Sequence, residues 1–325
     1  MGASVNHLTA LDLNERGGIL ADDLAAHPRR YRVDVHTLPG GARVIDAGVK
    51  APGGFAAGRM MAETCMAGLG NVSFVPITIG GDGYQAVQVW TDHPAIACMA
   101  SQYAGWSINV GDFFAMGSGP IRAKALVEGE LFSKLGYADE ATRGVLVLEG
   151  HTLPSDDVAV WVAEKAALPP SALTIIVAPT ASVAGSVQIA ARVIETGLHK
   201  MDALGFDVRQ VHSAIGTAPL APVAKNDLRA IGRTNDCILY GGQVRYTVTA
   251  DDATLEELAA RLPASASSDY GTPFYEVFER YERDFYKIDK FLFSPGEVWL
   301  TSTTTGRTFH GGRLDPAVLR TSLFG

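Results

Sequence analysis

Of the 325 residues only three are cysteine, Cys65, Cys98 and Cys237, and no two form a C-x-x-C pair. Three scattered thiols do not build a disulfide framework, so reduced cysteines are expected. No uninterrupted apolar run approaches the roughly 18–20 residues of a membrane helix. Positive charge is in short supply: 27 Lys and Arg face 35 Asp and Glu, a formal net charge of −8. That balance argues against a general nucleic-acid binder. Charged residues reach only 19% while hydrophobic ones reach 47%, which excludes a disordered polyelectrolyte. The opening stretch, MGASVNHLTALDLNERGG, has neither a basic n-region nor an apolar h-region, so no signal peptide is expected. Asn6 stands where a myristoylation signal needs Ser or Thr. A cytoplasmic protein is the expectation.

Chemical motifs are missing too. There is no Walker P-loop, no H-E-x-x-H, no G-x-S-x-G elbow and no G-x-G-x-x-G. The eight histidines are scattered, and none pairs with another at ligand spacing. No catalytic metal and no nicotinamide are expected.

Glycine is abundant: 35 residues, where average usage of roughly 7% would give about 23. The surplus has no period and fills no linker. It falls at 53–54, 68–70, 80–83, 117–119, 185, 216 and 241–242. Such residues serve turns, helix ends and close backbone approaches.

The hydrophobic pattern predicts an opening helix over 7–27, broken around Gly17 and Gly18. Paired strands follow over 31–48, then a helix over 55–67. NVSFVPITI and YQAVQVW read as strands joined by a turn at 80–83. GVLVLEG and LTIIVAPT read as buried strands, with a helix over 155–167 between them. One long helix is expected over 182–204. Its apolar stripe is Val183, Val187, Ala191, Ile194, Leu198 and Met201. CILYGGQVRYTVTA reads as a strand, 253–262 as a helix, 272–286 as an aromatic helix and 298–303 as a last strand. The class is α/β or mixed α+β in two lobes, 1–145 and 146–325. The segment after about 265 is expected to pack back on the first lobe.

Four constellations stand out. Gln188, Arg192, Glu195 and His199 form a polar stripe at steps of four, three and four. The ordinary reading is a solvated face with an i,i+3 ion pair; the chemical one is a carboxylate with a guanidinium lining a cleft. Gly117, Ser118, Gly119 and Pro120 precede a helix start, where backbone N–H groups can approach a ligand; the ordinary alternative is a capped turn. The stretch VAPTASVAGS offers amides at a helix start, or simply capping by Thr180 or Ser182. Arg233 and Asp236 in GRTND read as a turn held by side chain–backbone bonds.

The ordered set AETCMAGLG, GWSINVGDFFAMGSGPIRAKAL, VLVLEG, VAPTASVAGSVQIAARVIETGLHKM, GTAPLAPVAKNDLRAIGRTNDCILYGG and DYGTPFYEVFERYERDFYKIDKFLFSPGEV resembles the methenyltetrahydromethanopterin cyclohydrolases. The resemblance spans about residues 4–315, and the charge resembles that of the bacterial members found in methylotrophs. It implies two α/β lobes with the substrate cleft between them, assembled as a homotrimer. It implies a cofactor-free hydrolase of one-carbon metabolism that opens 5,10-methenyltetrahydromethanopterin, or its dephospho form, to the N5-formyl product. The family's catalytic Arg and Glu, three residues apart, match Arg192 and Glu195. Thr180, Ser182, Gln188 and the segment 117–120 are then expected to line the pocket, with Gly185 beside it. Two other readings remain at this point: a pterin-linked one-carbon oxidoreductase, and a pterin-binding subunit without activity.

Overall fold

The computed structural model describes residues 11–325. The expected helix residues 7–10 lie outside that range. Elements run in the order α1 (Leu13–Ala26), α2 (Pro28–Tyr31), β1 (Asp34–Thr37), β2 (Arg43–Asp46), α3 (Phe55–Cys65), β3 (Gly70–Ile79) and β4 (Asp82–Thr91). A π-helical turn (Ala95–Gln102) leads to β5 (Trp106–Val110), β6 (Phe113–Ser118), α4 (Ile121–Ala125), α5 (Gly129–Leu135), β7 (Gly144–Glu149), α6 (Asp156–Lys165) and β8 (Leu173–Ala178). Then come α7 (Val183–Ala190), α8 (Val193–Ala203), β9 (Val211–Pro219), α9 (Asp227–Leu239), β10 (Gln243–Val248), α10 (Asp252–Arg261), α11 (Phe274–Arg280), β11 (Glu297–Ser302), β12 (Thr308–Gly312) and α12 (Pro316–Phe324). The mixed α/β class expected from the sequence is what forms.

The chain divides into two units, and the division is not a single cut near 145. One unit takes in the described residues up to Leu69 together with Ile96–Pro179; the other is Gly70–Ala95 with Thr180–Gly325. Strand pairing explains the difference. β7 and β8 pair in parallel with each other, β8 pairs with β2, and β7 pairs with β6, so 144–178 belongs to the first sheet. The β3–β4 hairpin joins the second sheet because β4 pairs with β9. The segment after 265 also belongs to the second unit, where β11 pairs with β10.

In the first unit the sheet order is β1-β2-β8-β7-β6-β5. β8 is buried along its whole length, and β7 at all but its last residue. Parallel strands covered on both faces read as unbroken apolar runs, as these do. Val158, Ala159, Val162 and Ala163 of α6 pack with Leu146, Leu148, Ile175 and Val177. α1, α3 and α4 also lie against β7. α1 runs straight through Gly17 and Gly18, contrary to the break expected there. A Cβ on Gly17 would lie 2.7 Å from the Pro120 ring, and one on Gly18 2.2 Å from the Arg143 guanidinium. These glycines allow close packing; they do not interrupt the helix.

The second sheet has the order β12-β11-β10-β9-β4-β3. Its long hairpin turns on Gly80 and Gly81, both at positive φ, so the turn has two residues and β4 already starts at Asp82. β9 to β12 largely alternate buried with exposed positions, the mark of a sheet covered on one face. α8 lies against β9 and β10. The approach is close: a Cβ on Gly216 would sit 2.8 Å from Val193. GRTND, expected as a turn, and CIL, expected as the start of a strand, belong to α9, with Tyr240 as its C-cap. β12 and α12 lie beyond the last element expected from the pattern.

Candidate functional site

SVAGSVQIAARVIETGLHKMDAL, residues 182–204, is apolar enough to be expected as one helix, but it forms two. α7 starts with Ser182 as N-cap, its Oγ accepting from the Gly185 N–H at 2.9 Å. Nearby, the Ala181 N–H donates to Asp227 at 2.8 Å. α7 stops at Ala190, and α8 begins at Val193. Between them the Arg192 N–H bonds to the Ile189 carbonyl, three residues back, at 2.9 Å, and Arg192 sits at φ −84° and ψ 3°. The ladder tightens by one residue at this position.

This break carries the polar stripe, and the stripe is not solvated. Gln188, Arg192 and Glu195 are 1%, 7% and 5% exposed. The Arg192 Nε and Nη2 both donate to Gln188 Oε1, at 3.2 and 3.0 Å. The third guanidinium nitrogen, Nη1, lies 3.9 Å from Glu195 Oε2. That is ion-pair distance, too long for a hydrogen bond. The structure therefore joins three of the four stripe residues in one buried cluster. His199, the fourth, is half-buried, and burial with the nearby Lys290 pulls its imidazole below its ordinary value against the opposing pull of Asp202. Thr180 is buried and Ser182 half-buried. The apolar stripe stays buried from Val187 to Met201 across both helices, and Val183 is half-buried.

The segment 117–120 is tightly packed within the first unit. Gly117 pairs with Trp106 and Leu148, and a Cβ there would meet Ile108 at 3.0 Å. The Ser118 hydroxyl donates to the Val147 carbonyl at 3.2 Å and lies 3.2 Å from the Cys65 thiol. Gly119 takes φ +97°, and its N–H donates to Ser101 at 2.8 Å. The Pro120 carbonyl accepts from the Asn14 side chain at 3.0 Å.

Buried polar residues that sequence reasoning passed over include Asp46, Arg122 and Lys200. Asp46 accepts four backbone N–H groups, from Gly48, Val49, Lys50 and Ala51. The signal was local: an Asp closing a strand and followed by Ala-Gly. Arg122 is fully buried, donating to Met99 and Ser101 carbonyls and pairing with Glu128 at 2.9 Å. Lys200 donates to the Pro263 carbonyl at 2.7 Å, and burial pulls its ammonium down to about 8. Asp236, expected in a turn, is a fully buried helix residue. Its carboxyl accepts from the Phe274 N–H and the Ser322 hydroxyl, and burial pushes it up to about 7. Among the described residues no group of three or more His, Cys, Asp or Glu is gathered as a metal set, and no helix is long and apolar enough to cross a membrane.

A buried carboxylate with a guanidinium beside it is the equipment for moving a proton under electrostatic control. The family model described as cyclohydrolase (MCH) matches residues 12–323. The chain belongs to that family and is a hydrolase of its kind. A relative from Methylobacterium organophilum, named methenyltetrahydromethanopterin cyclohydrolase, is 47% identical over 314 residues, covering 95% of this chain and 97% of its own. Relatives with the same name in Xanthobacter autotrophicus and Methanococcoides burtonii are 46% and 41% identical. They align over 94% and 95% of this chain and 90% and 97% of their own.

Proposed function

We propose that this cyclohydrolase opens the methenyl bridge of 5,10-methenyltetrahydromethanopterin, or of its dephospho form, to the N5-formyl product, with Glu195 moving the proton. The family match over residues 12–323 carries the activity. The buried Arg192–Glu195 pair at the α7–α8 break supports the residue roles.

The methenyl carbon is an amidinium-like cation and is already electrophilic. Water attacks it and must lose a proton as the C–O bond forms. The ring nitrogen must gain a proton as its C–N bond breaks. Glu195 takes the first proton and returns it to the nitrogen, acting as base and then acid. The adduct's hydroxyl proton leaves to solvent as the formyl C=O bond forms, the one proton the reaction releases. Arg192 orients Glu195 and steadies the tetrahedral adduct. The shuttle consumes no redox equivalent, so no cofactor besides the pterin substrate enters the proposal.

The helix start at Thr180 and Ser182 is read as a substrate-binding segment, supported by its place at the N-terminus of α7, one helix upstream of the pair. Gly117, Ser118, Gly119 and Pro120 are read as a second segment, supported by the resemblance of the GSGP stretch. Homotrimer assembly and a cytoplasmic location complete the reading on the same resemblance; light scattering of the purified chain tests the first. The activity itself is tested by mixing purified protein with the methenyl pterin in buffer without NAD(P). The methenyl absorbance should decay far faster than the uncatalysed rate. No acceleration, or acceleration only with a nicotinamide, would overturn the proposal.

A further inference from the structure

The proton shuttle uses Arg192 and Glu195, but it does not explain why a third polar side chain, Gln188, is buried with them. An amide taken out of water is costly unless its hydrogen bonds are made. Gln188 is 1% exposed, and its Oε1 accepts from both Nε and Nη2 of Arg192. Those two nitrogens form one edge of the guanidinium. That edge is one of the surfaces through which an arginine grips a carboxylate with two parallel bonds. With the edge taken, Arg192 faces Glu195 through Nη1, at 3.9 Å.

We propose that Gln188 is a positioning residue that occupies the Nε–Nη2 edge of Arg192, so that the guanidinium cannot close on Glu195 through that edge and meets it through Nη1 instead. The inference rests on the Arg192–Glu195 reading given above. It replaces the expectation that Gln188 is a substrate contact.

The local backbone supports this role. Gln188 lies four residues before Arg192, at the end of α7, and the tightened turn at Arg192 separates the two helices. Side chains four apart face each other, so Gln188 holds Arg192 from the α7 side while Glu195 lies on the α8 side. A carboxylate clamped by two hydrogen bonds has both oxygens engaged and is a poor acceptor for the proton of an attacking water. At ion-pair distance from Arg192, Glu195 keeps that attraction without being clamped by the guanidinium.

The test is a double-variant cycle on the purified full chain, following methenyl-pterin absorbance. Gln188→Leu should lower kcat about tenfold and leave KM within about twofold. Gln188→Glu, which restores an acceptor oxygen, should recover most of that loss. In an Arg192→Ala background, Gln188→Leu should cost less than about twofold more, because the residue it positions is gone. Equal fold-losses in both backgrounds would overturn the proposal. A loss confined to KM would overturn it as well, in favour of a substrate contact. If Gln188→Leu does not fold, Gln188→Asn, with its shorter reach, replaces it in the same cycle. Glu195→Gln run alongside separates the two readings. Normal turnover there removes the shuttle and this role together; a severe loss there without Gln188–Arg192 coupling removes this role alone.

Discussion

The two units each carry a six-stranded mixed sheet, yet they use buried polar groups differently. In the first, the polar side chains mostly answer to backbone. Asp46 caps four N–H groups, Arg122 holds two carbonyls, and Asn14 bonds to the Pro120 carbonyl and the Val145 N–H. In the second, Lys200 and Asp236 also answer to backbone, but Gln188, Arg192 and Glu195 meet side chain to side chain at a helix break, the last two at ion-pair distance. A side chain bound to backbone is fixed by the fold and fixes it in return. A side chain held by another side chain at ion-pair distance can exchange that partner for substrate or water. Burial alone therefore does not separate architecture from chemistry; the type of partner does.

The sharpest break of this comparison is Glu195→Gln. It should lower kcat by about 10²–10⁴-fold while the melting temperature changes little. Near-normal turnover would place Glu195 with the structural residues. Arg122→Met should do the opposite. Removing the cation strands Glu128 and two carbonyls, so stability should fall by about 2–4 kcal/mol in denaturant titration. The activity of the fraction that folds should persist; an equally large loss of kcat would erase the contrast between the units.

Asp236 offers a subtler contrast within the second unit. Burial raises its folded-state pKa to about 7, above its ordinary value. The folded protein then holds a proton that the unfolded chain releases between those values. Its contribution to stability is complete below pH ~4 and is lost as pH rises through ~7. Asp236→Asn should flatten this part of the melting-temperature profile between about pH 5 and 8. An unchanged slope would show that the carboxyl titrates as it does in the unfolded chain. The smallest effect belongs to the exposed pair Arg261–Glu257, 2.7 Å apart on α10. Glu257→Gln should change stability by no more than about 0.5 kcal/mol; a larger loss would mean that surface pairs also hold this unit.

Much of the fold was legible. The runs that became β7 and β8 are long, apolar and bounded, because both faces of those strands are covered. The β3–β4 hairpin announced itself through Gly80 and Gly81. α9 was not legible. Gly232 reads as a turn residue, but it lies where α9 passes Tyr275, and a Cβ there would come within 2.9 Å of that side chain. Its meaning comes from a partner more than 40 residues away. The N-terminal boundary of the second unit failed for the same reason: pairing of β4 with β9 joins segments over 100 residues apart.

For the site, the sequence by itself determined the residue types and their spacing: Gln188, Arg192 and Glu195 at steps of four and three, facing one way on any helical path. It also determined the family, through long ordered motifs spread along the chain. Spacing on a helix is set by local backbone geometry, which a sequence pattern can carry. Only the tertiary structure decided that this face is buried, that the helix breaks between Ala190 and Val193, and that Gln188 takes one edge of Arg192. The segment AARV contains no Pro or Gly to mark the break. Burial and side-chain pairing depend on what packs against the helix, and here that includes β9 and β10, brought against α8 by the fold.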